Sequence, residues 1–268
     1  MKFNNATDFR KSLEARLKNI SDKTNQDLQR LRRQVAFDRL LARIFEKNNN
    51  CPFLLKGGYA MELRFNKART TRDLDLTYLE RFDSQNSIDI SEELYQEIRD
   101  LSQAQLNDYF SFQIRPPEVA LDSPPYGGVR IPIEALVDGR IFVRFQIDIG
   151  MDITIGKVEK VKTSEWLDFC DIPAPQVSLI AKEQQFAEKI HAYSLPRQER
   201  INSRVKDFVD LVLLIEGGRQ DIALCYEAIT LTFRVRNTHP IPLKLSPPPT
   251  EWEQSFSIMA GECGMETA

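Results

Sequence analysis

The sequence predicts an α+β fold: a mixed, mostly antiparallel sheet flanked by helices, with helices at the N-terminus and a helical region at the C-terminus. Three observations predict it. VRIPIEAL (129–136) and RIFVRFQIDIG (140–150) alternate apolar with polar residues, and Asp138-Gly139 between them is a hairpin signal. CPFLLK (51–56) is a short apolar run that ends on Gly57-Gly58 and enters a helix. Both ends of the chain carry apolar residues at helical spacing.

Taken in order, residues 12–20 and 24–47 read as helices. Leu28, Leu31 and Val35 form a stripe on the second, continued by Leu40, Leu41 and Ile44. Asn48–Asn50 breaks the pattern. After the strand at 51–56, YAMELRFN (59–66) reads as a short helix. TRDLDLTY (71–78) alternates, with Thr71, Asp73, Asp75 and Thr77 on one face. A helix over 91–106 is capped by Ser91 and buries Leu94, Ile98 and Leu101. FSFQI (110–114) is a strand, and 123–128 is a turn cluster. In the strand 140–150, Ile141, Val143, Phe145, Ile147 and Ile149 share one face, and Arg144, Gln146 and Asp148 the other. Cys170–Gln176 reads as a linker. Helices follow at 178–194, 200–216 and near 220–233, with Gly217-Gly218 stopping the second. The proline-rich tail, 237–252, is expected to wrap the surface as an extended arm. The organisation is thus an N-terminal helical segment (1–50), a core (51–172) and a C-terminal helical region with a Pro-rich tail (173–268).

Composition narrows the function classes. The 268 residues are 42% hydrophobic, enough for a substantial core. A secretory leader and an 18-residue apolar span are both missing from the pattern, so a cytoplasmic protein with no membrane role is expected. Four scattered cysteines and two histidines leave little for a zinc cluster. The net charge of −3 gives no bulk attraction to nucleic acid. Residues 1–47 nevertheless hold 12 Lys and Arg against 6 Asp and Glu. That segment reads as solvated helix faces or as a surface for RNA phosphates or an acidic partner.

Asp73 and Asp75 project side by side from their strand, where they repel. A divalent cation removes that cost, since Mg²⁺ takes oxygen ligands and sits between carboxylates and substrate phosphates. Asp148, on the polar face of a neighbouring strand, is the candidate third carboxylate. Gly57-Gly58, at the start of a helix, lets backbone N–H groups approach a phosphate. The ordered set of strand, Gly-Gly, helix and D-x-D is more specific than either motif alone.

These residues resemble the DNA polymerase β-like nucleotidyltransferase superfamily and, more narrowly, the AbiEii/AbiGii-type toxin nucleotidyltransferases of toxin–antitoxin and phage-defence systems. LKGGYAMELRF…RTTRDLDL (55–76) resembles the first motif of that family. AEKIHAY (187–193) and RVKDFVDLVLL (204–214) resemble its lysine and KD-x-x-D-L helices. FRVRNTHPIPLKLSPPPTEW (233–252) resembles a C-terminal segment of one branch. The resemblance implies a nucleotidyltransferase core and a Mg²⁺-dependent transfer of NMP from an NTP. It implies nucleotide binding by Lys56, Gly57, Gly58 and Lys189, metal binding by Asp73, Asp75 and Asp148, and a catalytic part for Lys189 and Asp207 with the three carboxylates. It implies tRNA, at its 3′ end, as acceptor, with a block of translation, and a cognate antitoxin as partner. Tyr59 departs from the pattern, standing where many relatives have Ser or Thr to touch phosphate.

Other residues keep two readings. Arg69 and Arg72 balance the carboxylates or touch substrate. Asp210 pairs with Lys206 or joins the site. Lys182 reads as a surface lysine, His191 as a polar helix residue and His239-Pro240 as tail packing. Arg197, Arg200, Arg204 and Lys206 suit RNA, nucleotide or an antitoxin. The same pocket also suits a protein or small-molecule acceptor, or a degenerate module that binds nucleotide or partner without turnover.

Overall fold

The computed structural model describes residues 2–45, 51–65, 67–79, 87–117, 119–121, 127–197 and 204–265. The chain enters through two helices, α1 (Ala6–Thr24) and α2 (Leu28–Phe45). The Asn5 side chain accepts a hydrogen bond from the Asp8 N–H at 2.8 Å, so α1 starts six residues before the expected position. Asn25 ends it in the left-handed region, φ 56°. Asp27 then caps α2 through the Arg30 N–H at 2.7 Å. Phe9, Leu13 and Leu17 of α1 and Leu31, Val35, Leu40, Leu41 and Ile44 of α2 are buried in the main core, while Leu28 is half-buried against it. Asn48–Asn50 lies outside the described residues.

The sheet begins with β1 (Phe53–Lys56), passes through α3 (Gly57–Phe65) to β2 (Asp73–Tyr78), and continues after α4 (Ser87–Ser102). Its remaining strands are β3 (Phe110–Ile114), β4 (Val119–Leu121), β5 (Gly128–Val137), β6 (Arg140–Met151), β7 (Glu159–Lys162) and β8 (Gln176–Leu179). The eight-stranded order is β3-β5-β6-β2-β1-β8-β7, with β4 also on β5. The pairs β2–β6 and β1–β8 are parallel and the other five antiparallel, which is the mixed, mostly antiparallel sheet expected. Helices α5 (Lys182–Ser194), α6 (Val205–Glu216), α7 (Ile222–Arg236) and α8 (Glu253–Glu262) complete the chain. No helix among the described residues is long and apolar enough to cross a membrane.

Several local expectations change. Helix α4 starts at Ser87, so Ser91 lies inside it rather than capping it. The expected linker ends early: Gln176 opens β8, which pairs with β1 and so joins the sheet although it follows residue 172. A register shift at Ala135/Leu136 turns Ile141 outward, 39% exposed, and buries Phe142 instead. The inward face of β6 is therefore regular only from Val143 onward. Residues 237–249 carry no helix or strand, as expected, and Tyr193 Oη donates to Ser246 O at 2.7 Å to hold this arm. The arm ends in α8, whose apolar residues gave no helical stripe in the sequence.

Helix α2 is locked to the sheet by a buried ionic cluster. Arg39 Nε donates to Asp108 at 2.7 Å, and the Arg43 guanidinium donates to both Asp108 oxygens at 2.8 Å. Burial opposes ionisation of Asp108, but the hydrogen bonds and charges of Arg43 and Arg39 win and hold its carboxyl below the usual range. Asp108→Ala leaves two buried guanidinium groups without this partner, and urea unfolding is expected to show a loss of about 3–5 kcal/mol. Because the folded pKa is depressed, this stabilisation is present above pH ~4 and lost as pH falls through the folded value.

Candidate active site

Four strands bring one charge each into a single row. Lys56 on β1 is opposite Asp75 on β2, Asp75 is opposite Asp148 on β6, and Asp148 is opposite Arg130 on β5. The row reads plus, minus, minus, plus. Arg130 closes a bidentate pair on both Asp148 oxygens, at 2.7 and 2.6 Å. Neither Asp73 nor Asp75 has a hydrogen-bond or ion-pair partner for its carboxylate among the described residues. Burial raises the Asp75 carboxyl to about 6; Asp148 and Asp73 push the same way, while Lys189 and Lys56 hold it back. Burial, then Asp148, also raises Asp73.

The glycines stand directly against this row. Gly57 has φ +67°, and a Cβ there would overlap the Asp75 carboxylate, so the position admits only glycine. A Cβ on Gly58 would crowd the Thr71 side chain at 2.9 Å. Gln185 Nε2 donates to the Gly57 carbonyl at 2.8 Å and ties the turn to α5. Tyr59 faces the opposite way: it is buried against Phe37 and donates to Asp38. Its hydroxyl is thus a core group, and Thr71 is the hydroxyl residue that lines the site.

Helices α5 and α6 close the site with a second ionic network. Lys189 Nζ lies 2.7 Å from Asp207 and 2.8 Å from Asp210. Asp210, fully buried, is held bidentately by Arg69 at 2.9 and 2.7 Å. Asp210 therefore pairs with Arg69 and Lys189 across the fold, not with Lys206 one turn away. Burial disfavours the Lys189 ammonium, but Asp210 and Asp207 outweigh it and keep the lysine charged. Burial also opposes ionisation of Asp207, and Lys189 overrides it.

Together these groups line a cavity of about 490 Å³ with eight Lys and Arg side chains against four carboxylates. Lys56, Gly57, Gly58, Asp73, Asp75, Lys189 and Asp207 all line it, as do Arg72, Arg197, Arg204 and Lys206. Asp148 lines an adjoining cavity that shares Asp75. Lys182 is outside the site and bonds the Arg219 carbonyl. His191 meets Thr238 Oγ1 at 2.8 Å and His239 meets Ser194 Oγ at 2.9 Å, both against the tail. Arg200 lies outside the described residues. Arg130 and Gln185 belong to the site without any sequence signal, because their partners are distant in the chain. Glu188 and Arg236 do too, linked at 3.7 Å, and both sit inside the quoted motif segments.

Among the described residues no group of three His, Cys, Asp or Glu side chains forms a ready metal cluster. The donor chemistry still fits Mg²⁺. Two unpaired carboxylates with raised pKa values stand beside a glycine turn, and Mg²⁺ is commonly held by one or two carboxylates plus substrate phosphates.

Residues 39–265 match the model of a family described as nucleotidyl transferase AbiEii toxin, type IV toxin–antitoxin system. MenT4, a nucleotidyltransferase toxin from Mycobacterium tuberculosis, has a similar fold: TM-score 0.60, 13% identity, 95% of this chain and 90% of that chain covered. JHP933 from Helicobacter pylori aligns with a TM-score of 0.34 and 14% identity over 86% of this chain and 98% of that one. No curated protein matches the sequence significantly.

The raised pKa of Asp75 means its charged form destabilises the fold above pH about 6, and stability recovers as pH falls through that value. Asp75→Asn should therefore gain about 1–3 kcal/mol in thermal or urea unfolding at pH 7.5. In the same assay, if the carboxylate pair holds Mg²⁺, the ion is expected to raise the Tm of the wild type and to leave that of Asp75→Asn unmoved. Arg69→Met strips the buried Asp210 of its bidentate partner and should cost about 3 kcal/mol or more.

Proposed function

The chain belongs to the AbiEii family of nucleotidyltransferase toxins of type IV toxin–antitoxin systems, and from that premise we propose that it transfers NMP from an NTP to the 3′ end of tRNA and so blocks translation. One observation carries the reading. An unpaired carboxylate pair, Asp73 and Asp75, stands against a glycine turn on the floor of a strongly cationic cavity. Polyphosphate is the ligand such a charge balance selects.

In this reading the Gly57-Gly58 turn and the start of α3 take the triphosphate, with Lys56 and Lys189 neutralising its charge. Asp73 and Asp75 hold Mg²⁺, with Asp148 alongside. Bound there, the ion would supply charge stabilisation at the phosphates and make the attacking hydroxyl more acidic. An acceptor hydroxyl oxygen bonds to the α-phosphorus as the bond to pyrophosphate breaks, and pyrophosphate leaves with the electron pair. The hydroxyl proton passes to Asp148, whose oxygens keep lone pairs beyond the two bonds from Arg130. Asp207 holds Lys189 in place. Most of the work is positioning and charge neutralisation, as in phosphoryl transfer generally.

Arg72, Arg197, Arg204 and Lys206 around the cavity supply phosphate contacts for an RNA acceptor. A cognate antitoxin is the protein partner that the family implies, and the cytoplasm is where the substrates meet.

Incubation with each α-³²P-NTP, Mg²⁺ and total cellular RNA and protein tests this. Label should enter the tRNA band with one favoured nucleotide. Asp75→Ala should reduce incorporation at least ~100-fold, the scale of losing an essential electrostatic group. At subsaturating Mg²⁺, incorporation should also fall as pH drops through about 6, where Asp75 of the metal-free protein takes up a proton that competes with the ion. Label confined to protein would refute the tRNA acceptor, and an active Asp75→Ala would refute the metal assignment.

A further inference from the structure

A second cavity, about 400 Å³, adjoins the first. The two share Lys56, Asp75, Ala192, Arg204 and Arg236. Asp73 faces only the first and Asp148 only the second, so Asp75 stands on the boundary. Their charges differ sharply. Against the excess of cations in the first, the second carries three, Lys56, Arg204 and Arg236, matched by Asp75, Asp148 and Asp152. The rest of its wall includes Met151, Leu195, Thr238 and His191, which burial, with Arg236 and His239, holds uncharged at neutral pH.

Gly150 on β6 supplies an independent observation. Its φ is not in the left-handed region, and a Cβ there would meet only Lys56 Nζ, at an ordinary 3.5 Å. Its strand partner Gly128 differs, since a Cβ there would overlap the Ile149 carbonyl. Packing thus explains Gly128 and leaves Gly150 unexplained. A glycine inside a strand weakens it and commonly marks a bulge, a bend or the close approach of a backbone or ligand; no register shift falls at Gly150 and no backbone crowds its Cβ position, which leaves a ligand.

In-line displacement at phosphorus puts the attacking oxygen opposite the leaving pyrophosphate. With the triphosphate in the cationic cavity, the attacker must come from the other side of Asp75. We propose that the second cavity seats the acceptor, taking the sugar-and-base end of a polynucleotide as an uncharged nucleoside. The carboxylates of Asp148 and Asp152, paired with Arg130 and Arg236, keep lone pairs for sugar hydroxyls, and the balanced charge gives no net attraction to phosphate. This assignment rests on the triphosphate occupying the first cavity.

Gly150→Val narrows the second cavity, and valine suits a strand. With total tRNA as the probe, its KM for tRNA should rise at least ~10-fold, a loss of about 1.4 kcal/mol. The Kd for a non-hydrolysable α,β-methylene NTP should stay within about twofold of wild type, a change of no more than ~0.4 kcal/mol. An equal loss of analogue affinity overturns the proposal and makes this the seat of the donor nucleoside. An unchanged KM overturns it, and so does label in protein alone. Analogue binding by the wild type tests the first cavity separately, so a failed triphosphate assignment is seen as such. If the wild type transfers nothing, saturation-transfer NMR with the four nucleosides at saturating analogue decides. Signals lost in Gly150→Val support the acceptor seat, and no signal in the wild type overturns it. Should Gly150→Val not fold, Gly150→Ala is read in the same assays for a smaller shift of the same kind.

Discussion

Two carboxylates forced together by parallel strand pairing are the constraint around which the molecule is arranged. Once β2 and β6 run side by side in the observed register, Asp75 and Asp148 are neighbours. Their repulsion has to be managed, and the flanking strands manage it unequally. Arg130 donates to both Asp148 oxygens, while Lys56 stands next to Asp75 and has its own carboxylate contact, Glu188, at 3.8 Å. The strain is thereby concentrated on Asp75 and Asp73, the residues facing the cationic cavity. The Mg²⁺ site proposed above requires this imbalance. Full internal pairing would stabilise the fold and leave nothing for the ion.

The sheet alone does not complete the site. Lys189 and Asp207 come from α5 and α6, and these helices are fastened to the segment before β2 by Arg69 and Asp210. Asp210 is fully buried, so its two cationic partners are obligatory rather than decorative. The same ion pairs that hold the helices down also aim the lysine at the cavity. Stability and positioning are served by one network, and substitutions there disturb both.

The sequence showed those parts of the site whose logic is local. Asp73 and Asp75 share a face because a strand has period two, and Gly57 declares a turn that no other residue can make. The lysine and KD helices were legible through resemblance. What was not legible depends on pairing between distant segments. Arg130 looks like any polar strand residue until β5 is set against β6. Asp210 invited a local partner one turn away, and tertiary packing supplied Arg69, 141 residues earlier, instead. The bulge that exposes Ile141 breaks an alternation that continues unbroken in the sequence. Strand β8 is four residues long and follows two prolines, too short for its periodicity to speak. Tyr59 looked like a lost phosphate contact, and the structure gives it a different occupation in the core.

The β1–β8 pairing has a consequence for synthesis. It sets Leu55 beside Leu179, so the sheet cannot close until the ribosome has made well over half of the chain. Lys189 and Asp207 emerge later still. A product released before residue 176 that carries the acidic pair therefore lacks both strand β8 and Lys189, which lines the cavity. Until Lys189 and Asp207 have both been made, the acidic pair stands without the two helices that wall its cavity.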